Sequence, residues 1–103
     1  MTSELEFYLD DQGMHCARGE DERLAIYLQT DIQGSVAVAE ELISLLRNPD
    51  FTGDFSGNGH CVDFRDNSVA IEAMHDEEAP DRVLSRAEML ANVEAWLAFI
   101  SRS

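Results

Sequence analysis

The chain has 103 residues, which gives room for one domain with one hydrophobic core. Its apolar content of 45% and charged content of 27% are ordinary for a globular protein and argue against disorder. Twenty-one acidic residues stand against seven basic ones, all arginine, and the net charge of −14 would repel nucleic acid and anionic lipid.

The first third of the chain predicts three strands. Leu5, Phe7 and Leu9 alternate with polar neighbours in the period of a half-buried strand, and residues 14–18 follow a turn as a short second strand. Residues 24–29 alternate in the same way and predict a third strand. Short connections favour antiparallel neighbours, so residues 4–29 are predicted to form a three-stranded meander.

The middle of the chain changes to a helical period and then returns to strands. Residues 33–47 carry apolar side chains on one helical face, and Asn48-Pro49 ends that helix. Residues 50–59 contain three glycines among polar residues and are predicted to be irregular. The next alternating segments flank a tight turn at Asp66-Asn67, so residues 60–74 are predicted to form a hairpin.

The end of the chain predicts an acidic loop and a helix. The loop covers residues 75–82, and Ser85 with Glu88 then forms a capping box that begins the helix. The sequence as a whole predicts a single α+β domain over residues 1–103, in the order β-β-β-α-β-β-α. We expect an antiparallel sheet of about five strands with the two helices packed on one face.

We expect the protein to be cytoplasmic. The apolar runs are shorter than the roughly 20 residues that cross a bilayer, so no membrane association is predicted. The first six residues lack the basic and apolar regions of a signal peptide. Cys16 and Cys61 are therefore expected to be reduced.

The histidines and cysteines do not predict a metal site, a cofactor or catalysis. His15-Cys16 and His60-Cys61 are adjacent pairs, and adjacent residues on a strand point to opposite faces. Neither pair can easily hold one zinc ion, and no C-x-x-C or H-x-x-x-H spacing occurs. His60 with Asp63, or either thiol, could take part in catalysis, but no recognised motif supplies a base and an orienting group. We therefore predict that the protein is not an enzyme.

Three acidic clusters and two tyrosines are candidate contacts for a basic protein. A small domain needs a net charge of only about 2–8 in magnitude for solubility, so −14 invites an explanation. Tyr8 and Tyr27 fall on the strand faces opposite the apolar set. The candidate partner-binding residues are Asp10, Asp11, Glu20, Asp21, Glu22, Asp76, Glu77, Glu78, Asp81, Tyr8 and Tyr27. Solvated loops, a salt-rich host or an acidic proteome would account for the same charge.

The organisation resembles that of small acidic immunity proteins from bacterial toxin–immunity systems, including contact-dependent growth inhibition. The likeness lies in the acidic single domain, in the stretch from Gly53 through Gly57-Asn58-Gly59 to Phe64, and in the ending from Ser85 to Ile100. It covers most of the chain in outline, and no binding motif transfers residue by residue. The resemblance implies a stoichiometric inhibitor, often of a nuclease toxin, whose acidic surface covers the toxin's basic active site.

The sequence therefore leaves two main hypotheses for the function. The first is an inhibitory domain with a basic protein partner, and it predicts that acids from at least two clusters converge on one surface patch. The second is a housekeeping or regulatory domain, a monomer or a homodimer, and it predicts dispersed acids with an apolar self-complementary patch.

Overall fold

A computed structural model describes residues 5–74 and 80–102, and its mixed α+β class agrees with the sequence prediction. β1 (Leu5–Leu9) and β2 (His15–Gly19) form a hairpin, and α1 (Glu22–Tyr27) continues into a π-helical segment, Leu28–Ile32. The later elements are α2 (Val36–Arg47), β3 (Gly53–Ser56), β4 (His60–Phe64), β5 (Ser68–Ala73), β6 (Arg82–Ser85) and α3 (Arg86–Ser101). None of the helices in these residues is long and apolar enough to cross a bilayer.

The predicted layout of one five-stranded sheet is wrong. β1 and β2 form a two-stranded sheet of their own, while β3, β4, β5 and β6 form a four-stranded antiparallel sheet in that order. The hairpin predicted over residues 60–74 is confirmed as β4 and β5, with Val62 opposite Ile71. Sequential neighbours pair throughout, so every connection within the larger sheet is a simple return of the chain.

The third predicted strand, residues 24–29, is helical instead. Asp21 caps α1 by accepting a hydrogen bond from the Leu24 amide at 3.2 Å. Leu24 and Leu28 are completely buried, whereas Ile26 is 42% exposed. Burial therefore follows the spacing of four residues that marks a helix, and the alternation through Ile26 is coincidental.

Two strands lie where the sequence predicted none. β3 falls within residues 50–59, because Phe55 pairs with Val62 and packs on the core despite its polar neighbours. β6 begins within the predicted acidic loop, and its Leu84 is buried opposite Val69. Residues 75–79 of that loop lie outside the described residues.

The core fills the space between the four-stranded sheet and the helices. Its sheet side is the alternate set on β4, β5 and β6, and its other side comes from α1, α2 and α3. Trp96 is completely buried, and its indole nitrogen donates to the Gln33 carbonyl at 2.8 Å. The ring of Phe7 on β1 meets the Trp96 ring edge-on at 5.1 Å, so the small hairpin also packs on α3.

Arg86 fastens three chain segments together at one end of the sheet. Its guanidinium donates to the carbonyls of Asn48, Phe51 and Arg65, which end α2, precede β3 and follow β4. The same group stacks over the Phe64 ring at 5.4 Å. Arginine keeps its charge when buried, so these carbonyls always face a donor.

The Asp31 carboxylate fastens the π-helical segment to the loop before β4. Its Oδ2 accepts from the amides of Gly59 and His60, at 3.1 and 2.9 Å. Its Oδ1 accepts from the Thr30 hydroxyl and lies 2.8 Å from His60 Nδ1. Only 1% of the Asp31 side chain is exposed, so these contacts replace its hydration.

Gly57 is required by this carboxylate. A Cβ on Gly57 would lie 2.3 Å from Asp31 Oδ2, whereas a Cβ on Gly59 meets nothing within 4 Å. We expect Gly57→Ala to lower the free energy of unfolding by about 1–3 kcal/mol, because the added methyl group must displace the carboxylate. Gly59→Ala is the matched control, with an expected change of at most about 0.5 kcal/mol. Urea unfolding followed by tryptophan fluorescence measures both, and equal losses would contradict this role of Gly57.

Candidate functional site

An acidic groove lies between the start of α1 and the segment that leads into β6. Its volume is about 630 Å³. It is lined by Glu20, Asp21, Glu22, Arg23, Ile26, Pro80, Asp81 and Arg82. Acids that are about 60 residues apart in the sequence thus meet at one surface.

Asp21 and Arg82 pair with each other in the groove, so their charges are already engaged within the fold. Only 4% of the Asp21 side chain is exposed, and its Oδ2 accepts from Arg82 Nε at 2.9 Å. Asp21 also caps α1, so one carboxylate holds the helix and β6 together. We correct the sequence interpretation here, because burial prevents Asp21 from making a broad contact with a partner.

The remaining acids of the groove are open to solvent. Glu20, Glu22 and Asp81 are exposed, and no ion pair among the described residues involves them. Arg23 is half-buried and lies with one guanidinium nitrogen 3.4 Å from His60 Nε2. Because Arg82 pairs with Asp21, three exposed acids remain against one cation, Arg23. The groove therefore has a net negative charge.

The candidate pair His60 and Asp63 is not brought together. His60 lies on the core side of β4 and contacts Asp31, whereas Asp63 lies on the other side and pairs with Arg65 at 3.2 Å. If Nδ1 donates to Asp31, His60 Nε2 is left to accept from Arg23. The imidazole therefore links α1, the π-helical segment and β4, which is a structural role.

The two candidate tyrosines do not line the groove. Tyr27 is only 1% exposed on α1, so its predicted place on an open strand face is wrong. Burial and the Asp31 charge raise its pKa far above the usual value, so the phenol stays neutral. Tyr8 is half-buried beneath the Arg18 guanidinium, at 4.9 Å from the ring centre.

Asp10 and Asp11 are exposed at the turn of the β1–β2 hairpin and do not line the groove. Asp10 also shapes that turn, because its carboxylate accepts from the amides of Gln12 and Met14 at 2.8 and 2.9 Å. Of the third predicted cluster, which also includes Asp81, the residues Asp76, Glu77 and Glu78 lie outside the described residues. Of the candidate contacts, the structure therefore brings together Glu20, Glu22 and Asp81 with the buried Asp21.

The side of the sheet that faces away from the core holds acids that the sequence analysis did not select as partner contacts. Asp54, Asp63 and Glu72 all point to this side by the alternation of β3, β4 and β5. The alternation of the hairpin could have identified Asp63 and Glu72. Asp54 could not be placed, because β3 was predicted to be irregular.

Cys61 lies among these acids. Its thiol is 3.7 Å from the Asp54 carboxylate and 3.8 Å from the Ser56 hydroxyl. Partial burial raises the pKa of Cys61 above its usual value, and the charges of Asp54 and Glu72 raise it further. Cys61 and Cys16 are both free thiols. A protonated thiol is a poor nucleophile, so this arrangement does not favour catalysis by Cys61.

Comparisons with protein families, with characterised proteins and with solved structures find no match for this chain. Among the residues that the structure describes, no group of three or more histidine, cysteine, aspartate or glutamate side chains could hold a metal ion.

The thiol provides a direct measurement of the field on this side of the sheet. We expect Asp54→Asn with Glu72→Gln, in a Cys16→Ser background, to lower the pKa of Cys61 and to speed its alkylation by iodoacetamide at pH 8. Glu40→Gln with Glu41→Gln removes the same charge from α2 and is the control. An alkylation rate that rises equally in both variants would show that only net charge matters.

Proposed function

We propose that this chain is an acidic protein-binding domain of the immunity type, which neutralises a basic, nuclease-like partner by stoichiometric binding. The observation that carries this proposal is the acidic groove, in which exposed acids from two separate segments of the chain converge. Convergence is the outcome that distinguishes an inhibitor from a domain whose charge is merely dispersed.

The chemistry of such a partner fits the groove. A nuclease active site is positively charged because it binds phosphate groups, so a carboxylate surface can occupy the same field. Glu20, Glu22 and Asp81 line the groove together with Pro80 and with Ile26, which is 42% exposed. A lysine or arginine side chain has the same division, with an apolar stem and a charged head.

The three exposed acids are available for binding because no ion pair among the described residues engages them. Asp21, between two of them, supplies the cap of α1 and the ion pair with Arg82. Acids that remain unpaired on a chain of net charge −14 add to repulsion within the folded protein. A cationic partner would remove that cost on binding.

A homodimeric housekeeping domain is the second candidate, and one feature favours it. A groove of about 610 Å³ runs between α2 and α3 over Ile43, Leu97 and Ala98. The Arg47–Glu94 ion pair closes one side of this groove. Two copies would each bring a charge of −14, however, so dimerisation should strengthen as salt is raised. Sedimentation at low and high salt measures this dependence.

The groove predicts a specific loss of association rate. A single basic protein that is captured from the source cell's lysate at low salt, and retained at high salt, serves as the binding partner. Against it, we expect the triple variant Glu20→Gln, Glu22→Gln, Asp81→Asn to lower the association rate constant about tenfold at low salt, because electrostatic steering is lost. Stopped-flow fluorescence measures the rate.

The control is the triple variant Glu40→Gln, Glu41→Gln, Asp50→Asn, which removes the same charge from exposed positions outside the groove. The proposed role of the groove predicts a much smaller change for this variant. If both triple variants slow association equally, net charge alone steers the partner. Failure to recover any partner that survives high salt would favour the housekeeping domain.

A further inference from the structure

Asn58 and Gly59 stand in the loop before β4, and they are the one asparagine–glycine pair in the sequence. We infer that this pair is a modification site, at which the side-chain amide of Asn58 is lost as ammonia and position 58 becomes aspartyl or isoaspartyl. The buried Asp31 carboxylate holds the site unreactive as long as the loop stays attached to it. This inference does not depend on the proposed function.

The reaction needs only a base and water besides the chain itself, and asparagine is among the chemically labile residues. The base takes the proton of the Gly59 amide, and the nitrogen attacks the side-chain carbonyl carbon of Asn58. A new C–N bond closes a five-membered succinimide ring. The bond to the side-chain nitrogen breaks, and ammonia leaves with a proton from the solvent. Water then opens the ring at either carbonyl, which gives an aspartyl or an isoaspartyl residue.

The glycine makes Asn58 the most reactive asparagine of the chain when the fold does not intervene. Gly59 has no side chain to shield its nitrogen or to restrict its backbone. The other asparagines precede Pro49, Ser68 and Val93. Proline has no amide proton to lose, and serine and valine carry side chains beside the nitrogen. In an unfolded chain Asn58 should therefore react first.

The fold restrains both reacting groups. The Gly59 amide donates to Asp31 Oδ2 at 3.1 Å, and the Asn58 side-chain nitrogen donates to the Thr30 carbonyl at 3.1 Å. The Gly59 carbonyl accepts from the Met74 amide at 3.0 Å. The attacking nitrogen and the departing nitrogen are therefore each held by the π-helical segment, and neither can move without breaking a hydrogen bond.

The charge of Asp31 also opposes the first step of the reaction. Removing the Gly59 proton creates negative charge on a nitrogen that lies 3.1 Å from a carboxylate oxygen. Only 1% of the Asp31 side chain is exposed, so water screens this repulsion poorly. When the loop leaves Asp31, the amide meets solvent base and the Asn58 side chain can turn toward it. Local opening of this loop is thus the step that starts the modification.

The product cannot restore the native contacts. The departing nitrogen is the donor to the Thr30 carbonyl, and a carboxylate in its place offers that carbonyl only acceptors. An isoaspartyl residue also adds one carbon to the main chain, which displaces the amides of Gly59 and His60 from Asp31. The modification therefore weakens the link between the π-helical segment and β4 and is not reversed by refolding.

The test follows ammonia loss at each asparagine by peptide mass spectrometry, at one mildly alkaline pH, in the folded chain and in the chain unfolded by guanidinium chloride. In the unfolded chain we expect Asn58 to react before Asn67 and Asn92. In the folded chain we expect Asn58 to react at least about tenfold more slowly, since a hydrogen bond to a charged group contributes about that factor. Equal rates at Asn58 in the two states would overturn the protection. An unfolded chain without preference for Asn58 would overturn the site.

Gly57→Ala tests the role of Asp31 in the folded protein. Its added Cβ displaces the Asp31 carboxylate and leaves both reacting residues unchanged. We expect this variant to speed ammonia loss at Asn58 about tenfold, because the hydrogen bond to Gly59 is broken. Asp31→Asn, which removes the charge and keeps the size of the side chain, should act in the same direction.

Met89→Ala is the control for these two variants. It truncates a completely buried side chain on α3, so it lowers the stability of the whole fold without changing the loop. A reaction at Asn58 that is slower in Met89→Ala than in Gly57→Ala supports local opening at Asp31. A reaction as fast in Met89→Ala as in Gly57→Ala would show that global unfolding exposes the site, and the role of Asp31 would be overturned.

A second readout concerns the product. We expect Asn58→Asp to lower the thermal midpoint of unfolding, because the donor to the Thr30 carbonyl is lost. Asn67→Asp, on the exposed bend between β4 and β5, adds the same charge and is the control. Protein aged to the isoaspartyl form should unfold at a lower temperature than Asn58→Asp, because its main chain is also longer. Equal midpoints for Asn58→Asp and Asn67→Asp would contradict the restraint of Asn58 by Thr30.

Discussion

The buried carboxylate of Asp31 is the constraint on which the arrangement of the other elements depends. It accepts hydrogen bonds from Thr30, from the amides of Gly59 and His60, and contacts the His60 ring, so one side chain joins the π-helical segment to the start of β4. A buried charge of this kind is tolerated only with complete hydrogen bonding. The π-helical widening is the local form of backbone that carries Asp31 to this position.

The register of the sheet follows from the same contact. Because the loop before β4 is fixed on Asp31, Gly57 must remain without a side chain, and β3 returns against β4 from that point. His60 then places its ring between Asp31 and Arg23, which connects α1 to the same centre. The groove is linked to this carboxylate through Arg23, which lines the groove and contacts the His60 ring.

The sequence predicted well what depends on local patterns. The hairpin of β4 and β5 has a short turn and clear alternation, and α3 begins at the capping residue Ser85, which accepts from the Glu88 amide at 3.0 Å. The strand prediction for residues 24–29 failed because Leu24, Ile26 and Leu28 fit both the strand period and the helix period over so short a stretch. Only the cap at Asp21 and the packing of Leu24 and Leu28 decide between them.

The candidate site was predictable in part. Glu20, Glu22 and Asp81 could be selected as acids, but their meeting depends on β6, which the sequence did not reveal, and on the ion pair of Asp21 with Arg82 across 61 residues. Tertiary contacts of this length leave no periodic signal in a single sequence. Tyr27 was misplaced for a related reason. It was predicted to lie on an open strand face, but the segment forms a helix that buries it.

Neighbouring acids in this protein are divided between those that serve the fold and those that remain exposed, and the division follows burial. Asp21 and Asp31 are buried and fully engaged inside the fold, while Glu20, Glu22 and Asp81 are exposed without ion pairs in the described residues. Two of the arginines follow the same rule, because Arg82 and Arg86 serve internal contacts, whereas Arg18, Arg47 and Arg65 pair with surface acids. The surface therefore keeps its negative field although cations are present, and that field is available to a partner of opposite charge.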